Sequence, residues 1–329
     1  MRTRLCDVLG IDVPIICAPF GPWDSVDLAA AVCAAGGLGS LGTAVRPVEE
    51  LQEQWRRLRR RTDRPFAVNH QPRPFDEAAF AATLAHRPAA ISYHMGDPGD
   101  LVERAHAVGI RWIQQVMDVD QAKQALDRGA DVLVAQGGEA GGHSGFVSTM
   151  ALVPQVVDVA GGTPVVAAGG IADGRGLAAA LALGAQGVAM GTRFLASVEM
   201  RVAEEWKRML VAAASRDARH DELLDGLLPP YNRPHHPAVG RMLPTAFAKR
   251  WRSRPEELAA RAGELAPVIV SAVLAGGGQE YVPFAGQSVG LIDEVLPAAE
   301  IVHRTCEQAS AVLAELATQR GRARVGPAS

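Results

Sequence analysis

Residues 164–192 read PVVAAGGIADGRGLAAALALGAQGVAMGT. An apolar run, PVVAAGG (164–170), stops at paired glycines. Asp173 then precedes a stretch of Ala and Leu with helical spacing, and a second apolar run, GVAMGT (187–192), closes the unit. Four to seven apolar residues ended by glycine suit a strand buried on both faces. An Asp before an Ala-rich segment suits a helix N-cap. This is one strand–helix–strand unit, and such units in series predict a parallel sheet with helices outside it.

The same alternation runs outward to the N-terminus. PIICAP (14–19), GLGSLG (37–42), PFAVNH (65–70), AAISYH (89–94), RWIQQV (111–116) and DVLVAQ (131–136) complete a set of eight predicted strands. Helical patterns fall near 25–35, 47–61, 75–86, 98–108, 118–128, 150–160, 173–183 and 199–213, with starts marked by Ser25 or Asp24, Pro47, Asp97–Pro98, Asp118 and Asp173. Eight units in about 200 residues favour an α/β fold of the closed (β/α)8 TIM barrel kind over an open sheet. The alternation ends near residue 205. Residues 205–295 hold the Pro- and His-rich LLPPYNRPHHPAVGRMLP and a helical stretch near 255–275, and with no further strand–helix alternation read as a smaller helical lid domain. In 296–329 an amphipathic helix, AAEIVHRTCEQASAVLAELA, is expected to pack back on the 1–204 barrel and end in a frayed tail.

With 48% hydrophobic and 21% charged residues the chain is globular, and a net charge of −3 gives no reason to expect nucleic acid or an anionic membrane as partner. The start, MRTRLCDVLGIDVPII, has no apolar leader core, and no apolar run reaches a membrane-spanning length, so a cytoplasmic location is expected. Cys6, Cys17, Cys33 and Cys306 are widely spaced and read as buried thiols. The Arg-rich QWRRLRRRTDR (54–64) reads as a solvated helix face, and the adjacent His235 and His236 lie between prolines. No metal-ligand spacing occurs, so no metal is expected.

In this fold the reacting groups gather at the C-terminal strand ends. These are Pro19–Phe20, Asn69–His70, His94, Gln114–Gln115, the loop from Gln136 to Gly145, Gly169–Gly170 and Gly191–Thr192. Gly169, Gly170, Gly191 and Thr192 follow the seventh and eighth predicted strands, a recurrent phosphate position, and predict a phosphate site. The loop after the sixth, AQGGEAGGHSG (135–145), sets His143 among glycines on a mobile-looking loop. There it suits acid–base work or anion binding near neutral pH. Glu139 reads chiefly as a partner for loop backbone, with a second base as the alternative. Gly37–Leu38–Gly39–Ser40–Leu41–Gly42 fits GxGxxG but follows a helix and forms a strand, the reverse of a dinucleotide fingerprint.

GADVLVAQGGEAGGHSG (129–145), followed by the 164–192 stretch and RFLAS, resembles the nitronate monooxygenase family, formerly the 2-nitropropane dioxygenases. The related flavin-dependent enoyl-acyl-carrier-protein reductases and NAD(P)H:quinone reductases share the pattern. VPIICAPFG, AAGGLGSLG, AVNH and AGQSVGLI fall in family order. The resemblance implies a (β/α)8 barrel with a helical lid and non-covalent FMN. It implies that Asn69, Gln136, Gly141, Gly170, Ala189, Met190, Gly191 and Thr192 contact FMN. Pro19, Phe20, Gln114, Gly142 and Gly169 join them as candidate cofactor contacts. His143 becomes the catalytic and substrate-side residue, with Ser288 beside the substrate. Two departures bear on the substrate: Phe20 stands where the family often has Met, and HHPAVGRMLPTAFAKRW (235–251) diverges.

The activity implied first is oxidation of an alkyl nitronate by O2 to a carbonyl compound and nitrite. The second is NAD(P)H-dependent reduction of an enoyl thioester or quinone. An inosine-monophosphate dehydrogenase-like barrel needs a cysteine on the loop after the sixth strand, where this chain has Glu139 and His143. A binding barrel without flavin is the remaining reading. The oligomeric state stays open, with a homodimer as the candidate.

Overall fold

A computed structural model describes all residues except 73, 224–226, 228–237 and 324–329, with side chains described up to residue 319. His235, His236 and the last residues of the tail lie outside the described residues.

Eight parallel strands form the expected (β/α)8 barrel: β1 (Ile15–Cys17), β2 (Gly39–Gly42), β3 (Phe66–His70), β4 (Ala90–Tyr93), β5 (Arg111–Val116), β6 (Val132–Gln136), β8 (Val165–Ala168) and β9 (Gly187–Met190), in the order β1-β9-β8-β6-β5-β4-β3-β2. A bridge between Ile16 and Leu38 closes the ring. A short extra strand, β7 (Gly142–Ser144), lies inside the loop after β6. The seventh and eighth predicted strands are therefore β8 and β9.

Period-two alternation sets two layers. Ile16, Leu38, Ala67, Ile113, Val132, Val134, Val166, Ala168 and Ala189 face the barrel interior. Ile15, Cys17, Ile91, Tyr93, Trp112, Leu133, Ala135, Val188 and Met190 face the surrounding helices. Caps fall where the sequence marks them: Ser25, Asp118 and Asp173 accept backbone N–H groups of their first helical turns. The fourth helix is shorter than expected, Leu101–His106, because Asp97 accepts from Gly99 N in a turn of its own.

A helix at Arg4–Leu9, absent from the sequence reading, closes the barrel floor. Leu5, Cys6 and Leu9 are fully or nearly fully buried and join the interior cluster. Its six residues are too few to show helical periodicity. Burial of Leu5 alone contributes about 2 kcal/mol by area.

The region after 205 also differs from expectation. It is not purely helical: β10 (Arg219–His220) and β11 (Val239–Met242) are strands, and β11 pairs antiparallel with both β10 and β7. The partner that makes β11 a strand lies about 100 residues earlier in a glycine-rich loop, beyond the reach of local pattern. Helices Ala246–Trp251, Pro255–Ala260 and Ala262–Leu274 complete the segment. The last helix, Ala298–Ala323, lies against helix Gly174–Ala182: a Cβ on Gly174 would stand 2.4 Å from Ala309 N, and Gly174 N donates to Gln308 Oε1. No described helix is long and apolar enough to cross a membrane. The four cysteines are free, with Cys6, Cys17 and Cys33 buried.

Candidate active site

The C-terminal strand ends converge on one cavity. Of the predicted site residues, Pro19, Phe20, Asn69, Gln136, Gly141, Gly142, His143, Gly169, Gly170, Ala189, Gly191, Thr192 and Ser288 border it. Gln114 and Met190 do not. Both lie one residue out of phase, on the outer face of their strands. Gln114 is buried there, accepting from Trp112 Nε1 at 2.9 Å and donating to Gly96 O at 3.1 Å. The inward residue of that pair is Gln115.

One end of the cavity is lined by amides. Gln115 Nε2 donates to Gln136 Oε1, and Asn69 Nδ2 donates to the carbonyl and hydroxyl of Ser92. With its oxygen engaged, the Gln136 amide keeps N–H donors for a ligand. The other end is backbone. Gly169 and Gly170 both hold positive φ, a conformation that L side chains rarely adopt. Gly191 opens a short helix, Thr192–Leu195, whose first turn no side chain caps. Such a donor-rich turn suits an anion. His70, also a strand-end residue, is not part of the cavity. It sits between Thr83 Oγ1 (3.0 Å) and Thr43 Oγ1 (3.4 Å), and burial pulls its pKa down to about 4, so it is a neutral structural imidazole.

His143 lies on β7 and is buried, with Phe284 edge-on at 5.7 Å. The segment carrying it is pinned from several sides rather than mobile. Gly142, His143 and Ser144 pair with Arg241, Gly240 and Val239 of β11. The buried Arg241 guanidinium donates from Nε and Nη2 to Gly138 O and from Nη1 to Ala218 O. The Glu139 carboxylate accepts from Thr149 N and, at 2.8 Å, from Thr149 Oγ1. That engagement gives Glu139 the loop-fastening part anticipated for it. The AGQSVG stretch docks on the same loop: Gln287 N donates to Glu139 O at 2.8 Å, and Gly286 N donates to Thr192 Oγ1 at 2.9 Å. A Cβ on Gly141 would stand 2.6 Å from Gly286 N, so these backbones meet only because both positions are glycine.

An aromatic wall escaped the sequence reading. Trp23 and Trp206 meet edge to face at 5.2 Å, and Trp23 and Phe284 at 6.3 Å. All three border the cavity with His143. They come from positions 23, 206 and 284 and share no local motif. Among the described residues no His, Cys, Asp or Glu cluster is placed to hold a metal.

The model of the nitronate monooxygenase family matches residues 2–86 and 71–308. Among curated relatives, a nitronate monooxygenase of Pseudomonas aeruginosa is 33% identical over 358 residues, covering 94% of this chain and 99% of that one. A (3aS,4S,5R,7aS)-5-hydroxy-7a-methyl-1-oxo-octahydro-1H-indene-4-carboxyl-CoA dehydrogenase of Rhodococcus jostii is 37% identical over 228 residues. That match covers 69% of this chain and 64% of the relative, just under two thirds of its length. Among solved structures, FabK from Thermotoga maritima superposes with a TM-score of 0.87 at 34% identity, covering 97% and 99% of the two chains. A nitroalkane oxidase from Streptomyces ansochromogenes gives 0.81 at 27% identity, covering 94% and 99%.

Proposed function

The chain belongs to the nitronate monooxygenase family, and from that premise we propose that it is an FMN-dependent oxidoreductase that converts alkyl nitronates and O2 to carbonyl compounds and nitrite. The observation that carries this reading is the two-ended cavity with a histidine at its wall. A flat heteroaromatic ring with a phosphate tail fits an amide-lined end opposed to a glycine-lined one. Asn69, Gln115 and Gln136 would hold the ring edge, and Gly169, Gly170, Gly191 and Thr192 the phosphate. FMN, when bound, supplies the electron-accepting chemistry.

The protein's own residues do the rest. His143 presents its imidazole from a pinned strand. It hydrogen-bonds the anionic nitronate oxygens, and where the neutral nitroalkane is presented it takes the α-proton at a ring nitrogen to give the nitronate. Ser288, buried on the docked 285–288 stretch, adds a hydroxyl on the substrate side. Trp23, Trp206 and Phe284 exclude water from that side and strengthen the polar contacts inside it.

The test is oxygen uptake and nitrite formation by the purified yellow protein with propyl-2-nitronate. Flavin bleaching by NADH or NADPH without nitrite from nitronate in air would overturn this reading in favour of an NAD(P)H-dependent reductase of enoyl thioesters or quinones. The similarity to FabK over nearly the full length is what keeps that second reading in view.

A further inference from the structure

Four rings follow one another edge to face along one side of the cavity. Trp206 meets Trp23 at 5.2 Å and 86°, Trp23 meets Phe284 at 6.3 Å and 78°, and Phe284 meets the His143 imidazole at 5.7 Å and 63°. The series therefore ends on the residue that would hold the nitronate. Its members are fixed in place. Trp23 Nε1 donates to Gly277 O at 2.9 Å, Trp206 is buried, and His143 sits on the paired strand β7.

The cavity has a second property. Among the described residues its lining holds no Asp, Glu, Lys or Arg. Charged side chains next to lining positions are turned to the supporting structure instead. Asp24 Oδ1 accepts from Phe20 N, the Glu139 carboxylate accepts from Thr149, and the Arg193 guanidinium donates to Ala196 O and Glu294 O. Hydroxyl, imidazole, amide and backbone donors are left for the single charge of a nitronate and for a cofactor phosphate. A second ionised group on the substrate would exchange water for aromatic carbon. A charge taken out of water without a partner is strongly disfavoured.

We propose that the site selects nitronates whose reacting carbon carries an uncharged ring, arylmethane nitronates being the type, and rejects those bearing a second anionic group. The proposal deepens the monooxygenase reading and rests on it. Aromatic pairs packed offset or edge to face gain beyond the area they bury, so a flat substrate ring continues the series from His143 where a propyl chain cannot.

The FMN-loaded protein is assayed for nitrite with phenylmethane nitronate, its 4-carboxylate and propyl-1-nitronate. The phenyl compound is expected to exceed propyl-1-nitronate in kcat/KM by about tenfold or more. The 4-carboxylate, of the same shape but with one more charge, is expected to fall about 100-fold below the phenyl compound. Phe284→Leu, which removes one ring of the series, should lower the phenyl-to-propyl ratio about fivefold. A phenyl-to-propyl ratio near one, a 4-carboxylate used as well as the phenyl compound, or a ratio that Phe284→Leu leaves unchanged overturns the proposal. If none of the three nitronates yields nitrite, the monooxygenase reading falls. The selection is then decided by flavin absorbance changes on titration with the carbonyl counterparts benzaldehyde, 4-carboxybenzaldehyde and propanal. Tightest binding of benzaldehyde upholds it, and equal binding of all three overturns it.

Discussion

Replacing Gly141 with Ala tests the joint between the histidine loop and the 285–288 stretch. The added Cβ would stand 2.6 Å from Gly286 N and 2.7 Å from Ala285 C, whereas ordinary contacts begin at 3.4 Å. The two backbones would have to part by roughly 0.8 Å, and neither is a flexible side-chain tip. Overpacking of this kind costs about 1–3 kcal/mol. The joint also holds the Gln287 N to Glu139 O and Gly286 N to Thr192 Oγ1 bonds, so parting it disturbs the glycine-lined end of the cavity and the Ser288 side, the proposed phosphate and substrate ends, together. We expect the unfolding free energy measured in urea to fall by that amount and FMN affinity, read by recovery of flavin fluorescence on dilution, to weaken at least tenfold. Gly263→Ala is the matched control. Its Cβ meets nothing within 4 Å in helix Ala262–Leu274, and the change should stabilise by about 0.5–1 kcal/mol without touching FMN. A Gly141→Ala protein with wild-type stability and FMN affinity would refute the claim that close backbone approach builds this site.

Three further outcomes are expected. His143→Ala should keep FMN yet lower nitrite formation from nitronate by about 10²-fold or more. Wild-type turnover in that variant removes the imidazole from the chemistry. Arg241→Met strands the Gly138 and Ala218 carbonyls that the guanidinium now satisfies, and should cost about 2–4 kcal/mol in denaturant unfolding; a loss under 1 kcal/mol would show that β11 holds the loop without it. His70 titrates near 4 in the fold against about 6.5 unfolded, so its native pKa is depressed. The unfolded chain therefore takes up the proton first as pH falls, and stability drops between about 6.5 and 4. From pH 7 to pH 5 the loss attributable to His70 is about 2 kcal/mol, and a His70→Gln variant should show a pH slope flatter by that amount.

The barrel was legible because a strand buried on both faces leaves a contiguous apolar run, and eight such runs between helical patterns admit few architectures. Phase was harder to read than presence. Gln114 and Gln115 both end a strand, and only the pleat, read through outward Trp112 and inward Ile113, decides that Gln115 faces the cavity. Met190 errs for the same reason beside inward Ala189. Features made by long-range pairing left no local trace. The β7–β11–β10 sheet joins a glycine loop to a stretch about 100 residues later, and the Trp23–Trp206–Phe284 wall assembles from three remote segments. The floor helix Arg4–Leu9 is too short for its pattern to register.

The strand pairing of His143 with Gly240 bears on how a substrate gets in. A cover hinged on flexible loops can swing away and leave the reacting groups in place. Here β11, from the segment after residue 205, supplies the main-chain partner of the very strand that carries the imidazole, so swinging that segment away would unravel the strand. Admission must then be gated by smaller movements, such as side-chain swings, with the backbone around His143 held throughout turnover. Access and competence are one mechanical variable in this protein: opened wide, it is disarmed.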